Sequence, residues 1–385
     1  MNKIKVLIVS GGMNAGGAEK WLLDFSKNID KSRYEISFLY HTEAPQLFDS
    51  QIKPHVAKIH RLSNHKNVFS YLFKLKRLIA EENYQIIHSH VNHYASVLLA
   101  LKLLTDVKVV VHCHNDLSGK VAKSPLWKRA YYYISKLLIT KFSDFKIAVS
   151  DKASNSIFSS DKCLTNVRKV YCGIDSKSID EEIDKESSKD EIYKKIEECL
   201  VSEVKKQPLV FHIGRFVEQK NHKFLFEVIK EAQQQNIDVK FCLFGDGPLF
   251  EYFLKEKERL KLKNCFLFGA TNNMSTLLYK YASLMVLPSL HEGLPIVLME
   301  SQYLNVPTIV SNNVSKEADL GHSLVKYLEI DNVERWREAI IFELDSSPKI
   351  ENRYKNQHFE SSPFNVEHSV RDVSQIYNKL LAGGS

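Results

Sequence analysis

The stretch VLPSLHEGLPIVLMESQYLNVPTIVS (residues 286–311) holds an apolar run, a turn, a helical pattern and a second apolar run in quick succession. LMVLPS reads as a buried strand, and Pro295 suits the first turn of a helix ending near Tyr303. VPTIVSN reads as the next strand, so the segment is a strand–helix–strand unit of a parallel sheet. Two carboxylates mark it. Glu292 stands just before the helix, and Glu300 follows a little over two turns later, near the same side. The amides of Gly293, Leu294 and Ile296 at the helix mouth can meet an anion or sugar hydroxyls, whereas Pro295 has no N–H to give. Carboxylates accept paired hydrogen bonds from vicinal diols, as a ribose or hexose presents them.

The same alternation runs through the rest of the chain. IKVLIVS (4–10), YEISFLY (34–40), YQIIHSH (84–90), VKVVVHCH (107–114), FKIAVSD (145–151) and VRKVYCGID (167–175) read as strands. Helices are expected from about Ala18 to Lys27, over 67–83, and in YASVLLALKLL between two of the strands. The segment 176–207 is dense in charge and reads as a solvated linker with some helix. Alternation restarts with PLVFHIGR (208–215), VKFCLFGDG, NCFLFGA, ASLMVLPS and VPTIVSN, and a last helix spans 365–382. Two doubly wound α/β domains follow, 1–175 and 208–364, with 365–385 crossing back onto the first. Strand C-termini are the binding edges of such sheets, so a ligand site is expected where the two domains face each other across a cleft.

Composition sets limits. The 385 residues are 44% hydrophobic and 26% charged, an ordinary soluble balance that argues against disorder. No apolar run nears the ~20 residues that span a bilayer, and the N-terminus reads as a first strand, not a signal peptide. Six scattered cysteines without CxxC spacing suggest buried thiols in a reducing cytoplasm. Residues 1–150 carry 22 Lys/Arg against 11 Asp/Glu, while the remainder carries 31 against 35. A basic first half points to an anionic partner: a membrane surface, a nucleic acid or a phosphorylated substrate.

Motifs gather at strand ends. GGMNAGGAEKWL (11–22) places Gly11, Gly12, Gly16 and Gly17 after the first strand, where backbone can approach a ligand. The spacing is neither GxGxxG nor a P-loop, which disfavours a dinucleotide-dependent dehydrogenase. His88, His90, His93, His112 and His114 cluster at two strand ends. Cys113 points away from His112 and His114, and no HExxH or paired CxxC is present, so ligand contacts are preferred to a metal site. In HIGRFVEQKNHKFL (212–225), Arg215 and Lys220 converge on a helix start near Asn221, an arrangement suited to phosphate or pyrophosphate.

Together, HEGLPIVLMES, GGAEKWLLDFS, HIGRFVEQKNHKFLFEVI, FGDGPL, FLFGA and VPTIVSNNVSKE resemble glycosyltransferase family 4 over nearly the whole chain. The nearest type is the bacterial capsular and exopolysaccharide enzymes. The resemblance implies the GT-B fold of two Rossmann-like domains and retaining transfer from a nucleotide sugar, UDP more than GDP. Arg215 and Lys220 would hold the donor diphosphate, Glu300 the ribose and Glu292 the hexose. Amides from Gly293 through Leu294 to Ile296 would lie along the sugar and phosphates, and Phe268 and Gly269 would border the base. His114 matches the family histidine near the reacting carbon, and Gly16 and Gly17 would let the first loop approach donor and acceptor. Asn14, His90, His112 and Asn115 are the acceptor-side candidates. Cys113 stands where the family commonly has a small hydroxyl residue.

No D-x-D element is apparent, so neither a metal ion nor another cofactor is expected to be required. The stretch 120–146 has seven basic residues against one acidic, with aromatics interleaved. It suits anionic lipid headgroups, where a polyprenyl-diphosphate-linked acceptor would be met, and places the protein in the cytoplasm on the inner membrane face. A saccharide acceptor is also compatible, and no nucleic-acid motif is seen. A nucleotide-sugar epimerase on the same fold and a non-catalytic nucleotide-sugar-binding protein are the alternatives.

Overall fold

The computed structural model describes residues 3–14, 16–122, 124–158, 167–184, 193–196, 198, 207–271, 273–346 and 355–382. Cys163, Cys199, Lys123 and much of the expected linker lie outside the described residues. The chain forms two compact units, Met1–Gly173 with Val366–Ser385, and Ile174–Asn365.

The first unit is built on seven parallel strands: β1 (Ile4–Ser10), β2 (Tyr34–Tyr40), β3 (Lys58–Arg61), β4 (Ile86–Ser89), β5 (Lys108–Cys113), β6 (Phe145–Ala148) and β7 (Val167–Lys169). Their order is β3-β2-β1-β4-β5-β6-β7. Central strands are mostly apolar and buried, β1 from Val6 and β5 from Val109 onward, as expected where helices cover both faces. The helix Val366–Ala382 packs against Gly17–Asn28 in this unit. Its apolar face, with Val366, Val370, Val373, Ile376 and Tyr377, is buried at helical spacing. Polar contacts fix its register. Trp21 Nε1 donates to Ser369 Oγ at 3.0 Å, Tyr34 Oη donates to Asn378 Oδ1 at 2.8 Å, and Arg168 pairs with Asp372 at 2.6 Å.

The second unit has six parallel strands: β8 (Leu209–Ile213), β9 (Lys240–Phe244), β10 (Cys265–Phe268), β11 (Leu284–Leu287), β12 (Thr308–Ser311) and β13 (Val325–Leu328), ordered β10-β9-β8-β11-β12-β13. Ser176–Asp184, within the segment expected as a charged linker, is a helix that buries Ile179 and Ile183. Its Asp180 accepts from Tyr303 Oη at 2.7 Å. A further helix, Val333–Ser346, seats Trp336 in the core against Phe224.

Two expectations are corrected. YASVLLALKLL is not one α-helix but a run of short pieces, with 3₁₀ turns at Asn92–Tyr94 and Leu99–Leu103 around Ala95–Leu98. Ala95, Leu98 and Leu101 are fully buried, and that three-residue spacing is the one a 3₁₀ turn aligns. YQIIHSH and VKVVVHCH end as strands at Ser89 and Cys113, which leaves His90 and His114 in the loops beyond.

Two core histidines make the second unit acid-sensitive. His212 on β8 is buried, with Nδ1 2.9 Å from the Val286 carbonyl, and His222 stacks on Phe216 at 4.0 Å. Burial lowers their pKa values to about 4 and about 2 respectively, and Lys220 adds to the effect. The unfolded chain takes these protons near pH 6.5 while the folded one refuses them, so unfolding binds more protons. Stability is therefore complete above about pH 6.5 and declines as the pH falls toward 4, by up to about 1.4 kcal/mol per pH unit per histidine. The urea midpoint should drop between about pH 7 and pH 5, and His222→Phe should flatten that slope. Equal slopes in the two proteins would contradict the assignment.

Candidate functional site

In the second unit the chain leaves β8 toward β9 and β10 on one side and returns to β11 on the other. The loops following β8 and β11 diverge there, at the point where doubly wound sheets hold ligands. The β8 loop carries Arg215 and Lys220, and the β11 loop carries Glu292. Lys220 Nζ lies 2.5 Å from Glu292 Oε1, with side chains 16% and 7% exposed, so the pair is largely removed from water. Two further bonds fasten the loops: Leu290 N donates to the Gln219 carbonyl at 2.8 Å, and Gln219 Nε2 donates to the His291 carbonyl at 2.9 Å.

Glu292 leads into the helix Ile296–Tyr303, on which Glu300 is buried. Pro295 stands in the cap position and not in the first turn, with φ −73° and ψ 113°. A proline so placed fixes the approach to the helix without removing an intrahelical bond. In the first turn the Leu298 amide donates to the Pro295 carbonyl at 3.0 Å, and helix geometry leaves the amides before it without intrahelical acceptors.

Arg215 is half exposed, with Nε 3.9 Å from Asp246 Oδ1. Asp246 belongs to the β9 loop, Gly245-Asp246-Gly247, which is pressed against the β8 loop. Phe216 N donates to the Asp246 carbonyl at 2.6 Å, and Leu249 N donates to the Phe216 carbonyl at 3.0 Å. Gly245 has φ +142°, and a Cβ there would lie 2.2 Å from the Gly214 carbonyl oxygen. Gly245 N in turn lies 3.3 Å from the carbonyl oxygens of Phe268 and Gly269. The ends of β10, β9, β8 and β11 thus bring Phe268, Gly269, Arg215, Lys220 and Glu292 into one row.

The first unit also places its marked residues at one sheet edge, after β1, β4 and β5, which are neighbours. Gly16 caps the helix Gly17–Asn28, and the Glu19 carboxylate lies over it, where a Cβ would clash. The loop is laced to residues 46–48: Met13 N donates to Gln46 Oε1 at 3.2 Å, and Leu47 N donates to Asn14 Oδ1 at 3.3 Å. Asn115 is exposed beyond β5, and its carbonyl accepts from the thiol of Cys113 at 3.3 Å.

The histidines form a packed group. His112 and His114 stack at 4.2 Å, His90 and His114 at 4.9 Å, and His88 and His112 at 5.3 Å, with Trp21 edge-on to His112 at 5.0 Å. His114 is engaged at both ring nitrogens, Nε2 with His90 Nδ1 at 2.6 Å and Nδ1 with Cys172 Sγ at 3.2 Å. Burial holds His88 and His114 at about 3 and His90 and His112 well below the usual imidazole range. His93 sits apart, buried against Tyr132 at 4.7 Å. Asp246, Gln219 and Cys172 were not singled out by residue pattern. Their importance comes from neighbours far along the chain, and only the glycines around Asp246 mark one of them.

Comparison with known proteins identifies the family. The model of Glycosyltransferase Family 4 matches residues 15–178, and that of Glycosyl transferases group 1 matches residues 195–358. The chain belongs to the family 4 glycosyltransferases. It is 24% identical to the capsular polysaccharide biosynthesis glycosyltransferase CapH of Staphylococcus aureus, over 97% of this chain and 98% of CapH. A second relative is the UDP-Gal:alpha-D-GlcNAc-diphosphoundecaprenol alpha-1,3-galactosyltransferase of Escherichia coli, 26% identical over 63% of this chain and 61% of that one. Among solved structures, Anabaena Alr3699/HepE in complex with UDP-glucose superposes with a TM-score of 0.77 at 17% identity, covering 98% of this chain and all of that one. Each unit is thus a Rossmann-like domain of the GT-B fold.

Gly245 tests how closely the loops of the glycosyltransferase must approach. Gly245→Ala sets a methyl against backbone that cannot swing aside, in a backbone region unfavourable to alanine. A loss of about 1–3 kcal/mol is expected by urea unfolding. A neutral result would show that the β8 and β9 loops can part without penalty.

Proposed function

We propose that this glycosyltransferase moves a hexose or N-acetylhexosamine, with retention at the anomeric carbon, from a nucleoside-diphosphate sugar to a lipid-linked or oligosaccharide acceptor in surface-polysaccharide synthesis. The observation that carries the donor half is the Lys220–Glu292 pair beside Arg215 at the strand reversal. Arg215 and Lys220 neutralise the diphosphate as it leaves. Glu292 holds Lys220 through Oε1 and keeps Oε2 for a sugar hydroxyl, and Glu300 takes the ribose diol. The acceptor hydroxyl attacks the anomeric carbon on the face the diphosphate leaves, the C–O bond to phosphate breaks, and the proton passes to the departing phosphate oxygen. The chain's part is positioning and fixed charge. With two cations on the diphosphate, transfer should need no added divalent ion. The E. coli relative's name, with its UDP-Gal donor and diphosphoundecaprenol-linked acceptor, and the UDP-glucose bound by HepE favour UDP and a polyprenyl-diphosphate acceptor.

The test is a transfer assay with UDP- and GDP-sugars, with and without a polyprenyl-diphosphate-linked sugar. Lys220→Ala and Glu292→Ala should each lower kcat by at least about a hundred-fold while leaving a cooperative melt. Glu300→Ala should weaken donor binding by about 1.5–3 kcal/mol, roughly ten- to a hundred-fold in Kd. Near wild-type turnover in Lys220→Ala would sink the reading. Turnover of a UDP-sugar with no acceptor would favour the epimerase.

The acceptor half rests on an exposed surface of the first unit. The helix Leu126–Phe142 leaves Leu126, Trp127 and Tyr133 exposed by 79%, 70% and 65%, with Lys128 5.2 Å over the Trp127 ring. Phe69 and Phe73 on the helix Val68–Glu82 and Leu103 are equally bare, and both helices pack against Leu99–Leu103. Apolar side chains among lysines and arginines suit the interface of an anionic bilayer. The protein should float with phosphatidylglycerol vesicles at low salt, and Trp127→Ala with Phe73→Ala should reduce that at least several-fold. Equal flotation with neutral vesicles, or none with either, would exclude this docking.

A further inference from the structure

The histidine group in the first unit holds more than packing requires. His112 is fully buried, and neither of its ring nitrogens has a hydrogen-bond partner among the described residues. Buried imidazole nitrogens are normally satisfied; the ring nitrogens of His222 are unpaired too, but His112 differs in having further ligand atoms beside it. His112, His114 and Cys172, all buried, each bring a ligand atom within 4.8 Å of the other two. His114 Nδ1 and Cys172 Sγ are already 3.2 Å apart, close to the roughly 3.5 Å edge of a tetrahedron with zinc bonds of about 2.0–2.3 Å.

We propose that His112, His114 and Cys172 form a binding site for a borderline transition-metal dication such as Zn²⁺, with a water in the fourth position. Two imidazoles and a thiolate are the donor set such ions select. The second shell is in place: His114 Nε2 meets His90 Nδ1 at 2.6 Å, and that bond leaves the His114 Nδ1 lone pair for the ion when His114 carries its proton on Nε2. The Trp21 ring closes one side at 5.0 Å from His112. Because the ion needs a thiolate, the Cys172 proton is released to solvent on binding, and affinity rises with pH. The site lies wholly in the first unit and uses none of Arg215, Lys220, Glu292 and Glu300; it replaces the donor contact that the family resemblance implies for His114.

The full-length protein, stripped with chelator and dialysed, should take up one equivalent of Co²⁺. It should then show the intense visible bands of tetrahedral cobalt and a near-ultraviolet thiolate-to-cobalt band. Cys172→Ser should abolish the near-ultraviolet band, His112→Phe should lower cobalt affinity at least ten-fold, and Cys113→Ser should change neither. Cys113 serves as the control because its thiol turns to the Ala153 carbonyl at 3.2 Å. If His112→Phe does not fold, Cys172→Ser alone decides. No bound cobalt, or a thiolate band that survives Cys172→Ser, would overturn the proposal.

Discussion

The Lys220–Glu292 pair is the constraint on which the second unit's site depends. Its members are 72 residues apart and belong to loops that a doubly wound sheet drives apart. The bond between them helps to fix the width of the crevice. A largely desolvated ion pair contributes little net stability, but leaving either charge without the other is strongly unfavourable, so the pair fixes one arrangement of the loops more than it stabilises the fold. Gln219 reinforces that arrangement with two backbone-directed bonds, and the glycines at 245 and 247 let the β9 loop press on the other flank.

Strands that are buried on both faces were legible because their apolar runs are continuous: β1, β2, β8, β9 and β11 fall within the stretches read from sequence. Of the edge strands, β7 and β10 fall within VRKVYCGID and NCFLFGA, whereas β3 and β13 were not read. β3 and β13 are only half buried, so KIHR and VKYL carry no distinguishing run, and only pairing with β2 and β12 reveals them. The residues expected on the donor side were singled out for a related reason: most follow a strand end, where this topology exposes loops, while Glu300 lies on the helix Ile296–Tyr303. Asp246 and Gln219 act through backbone contacts with other loops, which no local pattern encodes.

The histidines show the opposite limit. Alternation along two strands predicts that His88 and His90 share a face, as do His112 and His114, and β4 and β5 are in fact neighbours. It cannot supply Cys172, which arrives after β7, or Tyr377, whose hydroxyl lies 2.6 Å from His88 Nδ1 across 289 residues. Those two determine the chemistry. A strand face of imidazoles open to solvent would titrate near neutrality; enclosed beneath Trp21 and the terminal helix, the same rings stay neutral and become donors of lone pairs.

Charge therefore divides the two units by chemistry. In the second, Lys220 is held in a largely buried ion pair, while Arg215 is half exposed across from Asp246. In the first, the sheet edge is lined by neutral rings, and the surplus of lysine and arginine lies instead on exposed helices among bare aromatics. A cation on a flexible stem in water binds weakly to any single phosphate, yet many of them add up against a surface of anions. The first unit thus spreads positive charge over exposed helices, and the second holds Lys220 in a largely buried pair.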